Sequence, residues 1–526
     1  INAIHYLCPS LVNIQDFFTA MITPIMKIKK GSNSHDFYTL TDFEDWKKNN
    51  SMSGWTVKYY KGLGTSTSDE AKEYFKNLDR HVVTYKWNND SEDNLLLAFK
   101  KENADKRKEW ILEGIKKNEV IEYGKETNIS FPDFINKDLI HFSIADCDRS
   151  IPHLMDGFKP SQRKTIFAMR KKGNKEMKVS QLAGFVSSET CYHHGEASMM
   201  STIINMAQNY VGSNNCNLLA PNGGFGTRLQ GGKDAASPRY IFTVLTNTCL
   251  KMFNEHDDKI LTYLNDDGTS IEPEFFVPTL PLILINGGDG IGTGFSSNIP
   301  CYNPEDIKKS ITCVLSGKEM PNLIPWYNGF TGTIESNETG DSFLIKGIYN
   351  QKSSNVIEIT ELPIGMWTTD YKAFLEDILD LKIQSYTNHS TESTVKFTIK
   401  YFPDKIKDIW KDFKLTKTIK TTNMHLFDSN GNMKKYGNPN EIIKEFVEVR
   451  LKYYNMRKDN MLKNMTRELN ILQNKIRFID MIVDEELIVF KQQKKNIVEN
   501  LKKMKFNTVD KTYNYLLDMK IHFLTE

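Results

Sequence analysis

Cysteine is sparse and unpaired in this sequence. The seven residues Cys8, Cys147, Cys191, Cys216, Cys249, Cys301 and Cys313 are an odd number, far apart, with no C-x-x-C pair among them. That pattern excludes a zinc ribbon and a disulfide framework and fits a reducing compartment. Long apolar runs are also missing. Runs such as Leu282 to Ile285 are strand-sized, far below the ~18 consecutive apolar residues of a bilayer span, so a soluble chain without a membrane partner is expected. The opening INAIHYLCPS has no initiator Met, basic n-region or cleavage site, which reads as an excised fragment. No G-x-x-x-x-G-K-[ST] phosphate loop occurs. Arginine is rare, 11 residues against 57 lysines, and five of the 11 lie between Arg149 and Arg239. Arg binds phosphate bidentately where Lys acts as a point charge, so that clustering marks a region to inspect.

What is present is enough for several cores. At 526 residues, 39% hydrophobic and 11% aromatic, the chain predicts three to four domains of roughly 150 residues. Net charge is only +2, so any nucleic-acid function has to come from charge segregation. Residues 1–30 read as an amphipathic segment ending in a strand, ITPIMKIKK. A helix capped by Thr41 or Asp42 follows. In WTVKYYKGLGTSTSDEAKEYF a strand runs through a Gly-x-Gly turn into a helix capped by Thr67 or Ser68. This puts Lys61 at a strand-to-helix corner able to cradle an anion, although an ordinary βα turn fits as well. Leu95 to Lys117 reads as helical and strongly charged. From 270 to 400 the chain is strand-rich: FFVPTLPLILING, GFTGTIE, FLIKGIY, SNVIEITELP and TVKFTIKY, with one helix near Tyr371 to Leu381. Glu441 to about Lys505 lacks Pro and Gly. Leu462, Met465, Leu469, Leu472, Ile476 and Ile479 recur at three- and four-residue steps, as in a coiled-coil seam on a helix of about 65 residues with no return helix.

The chemistry-bearing residues lie between these parts. Lys159 to Lys178, KPSQRKTIFAMRKKGNKEMK, holds eight cationic residues and one acidic one. Ser161 is the expected cap of a basic helix followed by a turn and a second helix, the arrangement a duplex-docking module needs. CYHHGEASMM brings His193 and His194 to a helix start. Adjacent histidines cannot both face one metal from the same side of a helix, and Glu196 alone does not complete a zinc set; the pair suits phosphate or oxyanion contacts. NGGFGTRLQGGKDAASPRYIF combines five glycines with Arg228, Lys233, Arg239 and Tyr240. A tyrosine next to an arginine in a phosphate-binding setting can attack phosphorus while the guanidinium holds the equatorial oxygens.

YYKGLGTSTSDEAKEYF, DGFKPSQRK, YHHGE, FGTRLQGGKDAASPRY and LINGGDGIGTGFS, in that order, resemble the DNA-binding and cleavage core of eukaryotic-type DNA topoisomerase II over essentially the whole chain. The resemblance implies a multidomain α/β and α fold. Its expected parts are the C-terminal part of a Toprim domain and its extension (1–130), a winged-helix, CAP-like domain (131–265), an α/β tower domain (266–425) and a coiled-coil arm (426–526). It assigns Tyr240 as the nucleophile forming a 5′-phosphotyrosyl bond, Arg239 as transition-state stabiliser, and His193 and His194 as phosphate-facing supports. Lys61, Arg107, Lys108, Lys159, Arg163, Lys164, Tyr192, Arg228, Lys233, Trp367, Lys414, Lys417 and Lys420 become DNA contacts, and Ile291 the wedge that inserts between base pairs. Double-stranded DNA and a second copy of the chain are the implied partners. The family's Mg²⁺ ligands lie upstream of this chain and its ATP site lies outside it, so the fragment alone is expected to bind DNA and cleave it poorly. The runner-up reading is a non-catalytic DNA-bending protein. The implied location is the nucleus of a eukaryotic cell, or the cytoplasmic replication site of a large DNA virus.

Overall fold

The computed structural model describes residues 1–60, 66–123, 127–266 and 268–520. The N-terminal third holds two small sheets. Strands β1 (Thr19–Met21), β5 (Val82–Lys86) and β6 (Asn128–Ser130) form one, in the order β1-β5-β6. β2 (Met26–Lys30), β3 (Asn33–Phe37) and β4 (Thr56–Tyr59) form the other, in the order β3-β2-β4. Helix α1 (Leu40–Asn49) is capped by Thr39, whose hydroxyl accepts from the Asp42 amide, and not by Thr41 or Asp42. Helix α2 (Ser68–Lys76) starts at Thr67 in a full capping box with Glu70.

The charged segment from Leu95 to Lys117 is helical, in two pieces. A helix over Ser91–Phe99 stops at Lys100, whose backbone is extended, and α3 (Ala104–Lys117) begins after a short 3₁₀ turn. Arg107 explains the break. Its Nε donates to Leu97 O at 3.1 Å and its Nη2 to Lys100 O at 2.7 Å, satisfying carbonyls at the end of the first helix.

The central part is helical. α4 (Ile140–Ser150), α5 (Pro160–Lys172), α6 (Val179–Glu189) and α7 (Glu196–Ala207) precede a long loop, and the two-residue strands β7 (Met177–Lys178) and β8 (Phe242–Thr243) pair antiparallel across it. The cap of α5 is Lys159 and not Ser161: the Lys159 amide donates to Gln162 Oε1 at 2.9 Å, and Pro160 takes the first helical position. Hairpins β9–β10 (Tyr263–Asp266, Thr269–Pro273) and β11–β12 (Gly288–Ile291, Ser296–Ile299) follow. The segment expected as the strand FFVPTLPLILING contains instead a buried helical turn, Leu282–Asn286, capped at Pro281; Pro278 and Pro281 cannot donate to a sheet ladder.

After α8 (Pro304–Leu315), strands β13 (Thr333–Ser336), β14 (Ser342–Lys346), β15 (Ile348–Ser353), β16 (Val356–Glu361), β17 (Ile383–Asn388), β18 (Phe397–Tyr401) and β19 (Thr416–Lys420) form sheets ordered β13-β14-β19 and β15-β16-β18-β17. Helix α9 (Thr368–Asp377) covers the second sheet, whose core includes Ile357, Ile359, Tyr371, Leu375 and Phe397. Hairpin β20–β21 (Met424–Phe427, Met433–Tyr436) returns the chain to the centre. The largest apolar core gathers Leu154, Ile203, Ile241, Ile283, Met424 and Phe446, joining residues 154–323 to 424–447.

The arm is shorter than 65 residues. α10 spans Pro439–Val483, and the chain then turns into α11 (Lys494–Lys503), which folds back on it. Phe478, Leu487, Ile497, Leu501, Phe506 and Leu516 form the small core of this return. Arg477 Nη2 donates to Met504 O at 2.8 Å, and Arg467 pairs with Asp510 at 3.0 Å. This turn covers only the end of α10. Burial of that apolar cluster outweighs the continuous helical propensity of the segment. Leu462, Met465, Leu469, Leu472 and Ile476 remain exposed along α10. No helix among the described residues is long and apolar enough to cross a membrane.

Candidate functional site

The loop from Asn222 to Ile241 is fastened at both ends. Internally, Asp234 Oδ1 accepts from the Thr227 amide at 2.9 Å, and its second oxygen accepts from the Thr227 hydroxyl. The Ala236 amide donates to Gly224 O at 2.8 Å, and Gln208 Nε2 donates to Phe225 O at 2.9 Å. Gly232, at φ +82°, lies so close to Gln208 and Tyr210 that a Cβ there would come within 2.3 Å of Gln208 Nε2. At the far end, the first amides of α6 donate into the loop, Val179 to Ile241 O at 3.0 Å and Ser180 to Pro238 O at 3.1 Å. Helix N-termini leave such donors unused within the helix; here they clamp the turn that carries Tyr240.

Tyr240 stands 72% exposed on that clamped turn, where a lone tyrosine would ordinarily pack in a core. Its amide donates to Ser237 O at 2.9 Å, and the Arg239 guanidinium lies 5.9 Å from its ring centroid. Arg239 and Lys233 are exposed, and neither has a carboxylate partner among the described residues. Tyr192 packs its ring edge-on to His194, with centroids 5.3 Å apart. His193 and His194 are exposed, and His193 Nε2 lies 3.3 Å from Asp266 Oδ2 on β9.

The basic helix is less available than its sequence suggests. Arg163 is buried, with Nε 2.8 Å and Nη2 3.1 Å from the two oxygens of the fully buried Asp156. Asp156 also accepts from the amides of Phe158 at 3.0 Å and Phe276 at 2.9 Å. Lys164 reaches Glu272 at 2.8 Å and Thr190 O at 2.6 Å, Arg170 pairs with Asp258 at 2.6 Å, and Lys171 pairs with Glu189 at 2.6 Å. In the free chain both Arg163 and Lys164, expected as duplex contacts, are held by internal carboxylates. Arg228 is buried in an ion pair with Glu361. Lys159 is half-buried. Trp367 packs against Gly231 and Gly212 and meets the Tyr210 ring edge-on at 5.7 Å.

Ile291 is 86% exposed at the tip of the β11–β12 hairpin, opposite Ser296. The hairpin is seated on α4: a Cβ on Gly290 would fall 2.0 Å from Ser150 O, Cys147 Sγ donates to Thr293 O at 3.2 Å, and Thr293 Oγ1 donates to Asp146 Oδ2 at 3.0 Å. The backbone of Arg107 lies beside Gly294, and Asn423 Nδ2 donates to Ser296 Oγ at 2.8 Å. Next to Asn423, His425 Nδ1 lies 2.9 Å from Ser296 O, and burial holds its imidazole below the ordinary histidine range. The structure thus brings Ile291, Arg107 and Asn423 to one face. Sequence reasoning missed His425, Asp156, Asp266 and Glu361, whose roles depend on partners 73 to 133 residues distant or on burial, neither of which a local pattern records.

Lys108 pairs with Asp105 at 2.8 Å. Lys414 lies over the Phe374 ring at 4.1 Å, Lys417 Nζ donates to Ile364 O at 3.0 Å, and Lys420 is exposed on β19. Lys61 lies outside the described residues. Among the described residues no three His, Cys, Asp or Glu side chains gather as a metal ion requires, so these residues do not fit a metal centre.

Residues 149–526 match the family model for the A-type subunit of DNA gyrase/topoisomerase IV, and residues 21–147 match the C-terminal associated domain of TOPRIM. The chain is 41% identical to a probable DNA topoisomerase 2 of Dictyostelium discoideum over 97% of its own length and 37% of that protein's. It is 45% identical to DNA topoisomerase 2 of Arabidopsis thaliana, over 96% and 35%. These shares mean that it spans little more than a third of the curated relatives it matches. The crystal structure of the Plasmodium falciparum topoisomerase II DNA-binding, cleavage and re-ligation domain superposes with a TM-score of 0.80 at 42% identity, covering all of this chain and 76% of that one.

Proposed function

The chain belongs to the type II DNA topoisomerase family, and on that premise we propose that it is the breakage and reunion core of an ATP-dependent enzyme that cleaves both strands of a duplex, passes another duplex through and reseals the break. The observation that carries this is an exposed tyrosine on a turn held rigid by a helix N-terminus, next to a guanidinium with no carboxylate partner among the described residues. In the proposed reaction the phenolic oxygen of Tyr240 bonds to a backbone phosphorus and the bond to the 3′-oxygen breaks. The phenolic proton is matched by the one the 3′-hydroxyl gains, so one phosphodiester replaces another and resealing is the reverse exchange. Arg239 stabilises charge on the phosphate oxygens in the transition state. His193 and His194 face the phosphate, with Asp266 beside His193.

The surrounding parts take the duplex. Lys159, Lys233 and Tyr192 lie near the reacting strand, Ile291 enters between base pairs, and Lys414 and Lys420 follow the flanking duplex. An apolar wedge unstacks a step so that bent DNA covers more protein. The four parts proposed are the Toprim-associated segment at 1–130, a winged helix at 131–265, a tower at 266–425 and an arm at 426–526. One nucleophile per chain implies a homodimer for a two-strand break, and the nucleus is the proposed location. Mg²⁺ and ATP belong to the whole enzyme, and no step here is routed through them.

Substituting Tyr240→Phe in the full-length enzyme tests this. Decatenation is expected to disappear while duplex binding stays. Unchanged decatenation would refute the reading, and lost decatenation with a covalent complex still forming would move the nucleophile elsewhere.

A further inference from the structure

We infer that Glu361 is a positioning residue for strand cleavage: through its buried pair with Arg228 it sets the place of the loop that carries Tyr240. The inference rests on Tyr240 being the nucleophile. Both side chains are almost fully shielded, at 5% and 3% exposure, although 133 residues separate them in sequence. Arg228 Nη2 donates to Glu361 Oε1 and, at 3.3 Å, to Leu362 O. The carboxylate is held from every side. Oε1 accepts from the Leu362 amide at 3.0 Å, while Oε2 accepts from the Thr331 amide at 3.2 Å and its hydroxyl at 2.8 Å.

A buried ion pair adds little net stability compared with apolar residues of the same volume, because desolvation offsets the attraction. What this pair supplies is a fixed orientation. Glu361 ends β16, on the sheet that α9 covers, and Arg228 lies in the glycine loop. Two neighbouring contacts join the same surfaces: the Thr369 amide donates to Leu229 O at 2.9 Å, and Trp367 packs on Gly231. From Arg228 onward the loop is stiff, since Asp234 grips Thr227, Ala236 bonds to Gly224 and the α6 amides grip Pro238 and Ile241. A shift at Arg228 is therefore passed on to Arg239 and Tyr240. On the far side, Lys417 of the basic strand β19 donates to Ile364 O, three residues after Glu361. The element bearing exposed lysines and the loop bearing the nucleophile thus share one anchor.

The decisive variant is the full-length enzyme with Arg228→Met and Glu361→Met together, which removes both charges and keeps the volume. Duplex affinity is expected to stay near the parent's, whereas the melting temperature falls, since the Leu362 amide and the Thr331 amide and hydroxyl lose their acceptor. Covalent complex formation in single turnover is expected to fall about 10²-fold, the scale set by misplacing a reacting group by roughly 1 Å. With all rates measured well below the melting transition, a rate within about threefold of the parent's, or duplex affinity falling in step with it, would overturn the inference. If the double variant does not fold, Thr331→Val decides. It removes one hydrogen bond to Glu361 without changing shape, and about a fivefold slower cleavage with unchanged affinity is expected; a parent-like rate would overturn the proposal. Tyr240→Phe, run alongside, separates the two claims, because a covalent complex surviving there refutes the nucleophile, whereas its loss there with a parent-like rate in the Met pair refutes only Glu361.

Discussion

Arg163 is the residue at which sequence and structure make opposite predictions, so Arg163→Met discriminates sharply. A phosphate contact would contribute about 0.9 to the slope of log affinity against log salt, and its loss from a surface helix would move stability by less than about 0.5 kcal/mol. The structure instead ties Arg163 by two bonds to Asp156, which is wholly shielded from solvent. Removing one partner of such a pair costs about 3–5 kcal/mol because the other charge stays buried and unpaired. Asp156 keeps two backbone donors, from Phe158 and Phe276, which places the cost at the lower end, about 3 kcal/mol. At about 2–4 °C per kcal/mol for a unit of 150–250 residues, the melting temperature should fall by roughly 6–12 °C. Scanning calorimetry and a salt titration of duplex binding, the latter well below the transition, measure the two quantities. A slope reduced by about one with stability intact would refute the internal role.

Ile291→Ala should leave the melting temperature unchanged, since the side chain is exposed in the free protein. It should reduce duplex bending, read by energy transfer between duplex ends, and weaken binding by no more than about 2 kcal/mol. His153, buried against Phe275 with centroids 4.6 Å apart, has its imidazole pushed down to about 4, chiefly by burial. The unfolded chain takes up that proton below about pH 6.5 and the folded one does not until about pH 4, so this contribution is complete above pH 6.5 and is lost as pH falls toward 4, about 3 kcal/mol in all. His153→Phe should flatten the melting profile over that window. Leu501→Ala should cost about 2–5 kcal/mol locally and speed hydrogen exchange in 494–517, leaving the first half of α10 protected.

What was legible in the sequence was local. Period-two alternation gave the strands of FLIKGIY and TVKFTIKY, and Thr67 with Glu70 announced the start of α2, because capping and pleating are decided within a few residues. Tyr240 and Ile291, which the motifs singled out, are both exposed. The internal pairs of Arg163, Lys164 and Arg228 were not legible, since a basic run does not disclose which cation faces a carboxylate 7 residues away and which faces one 133 away. The arm was overestimated for a related reason. Nothing in the helix-compatible run from Asp484 to Lys505 signals that Leu487, Ile497 and Leu501 find apolar partners by turning back onto Phe478.

The most direct measurement is to trap the full-length enzyme on duplex labelled at a 5′-phosphate within the cleavage site, denature it, digest it and sequence the labelled peptide. The account predicts a single adduct on the tyrosine of the SPRY segment, Tyr240. Label on any other residue, or no adduct under conditions in which the enzyme decatenates DNA, would contradict it.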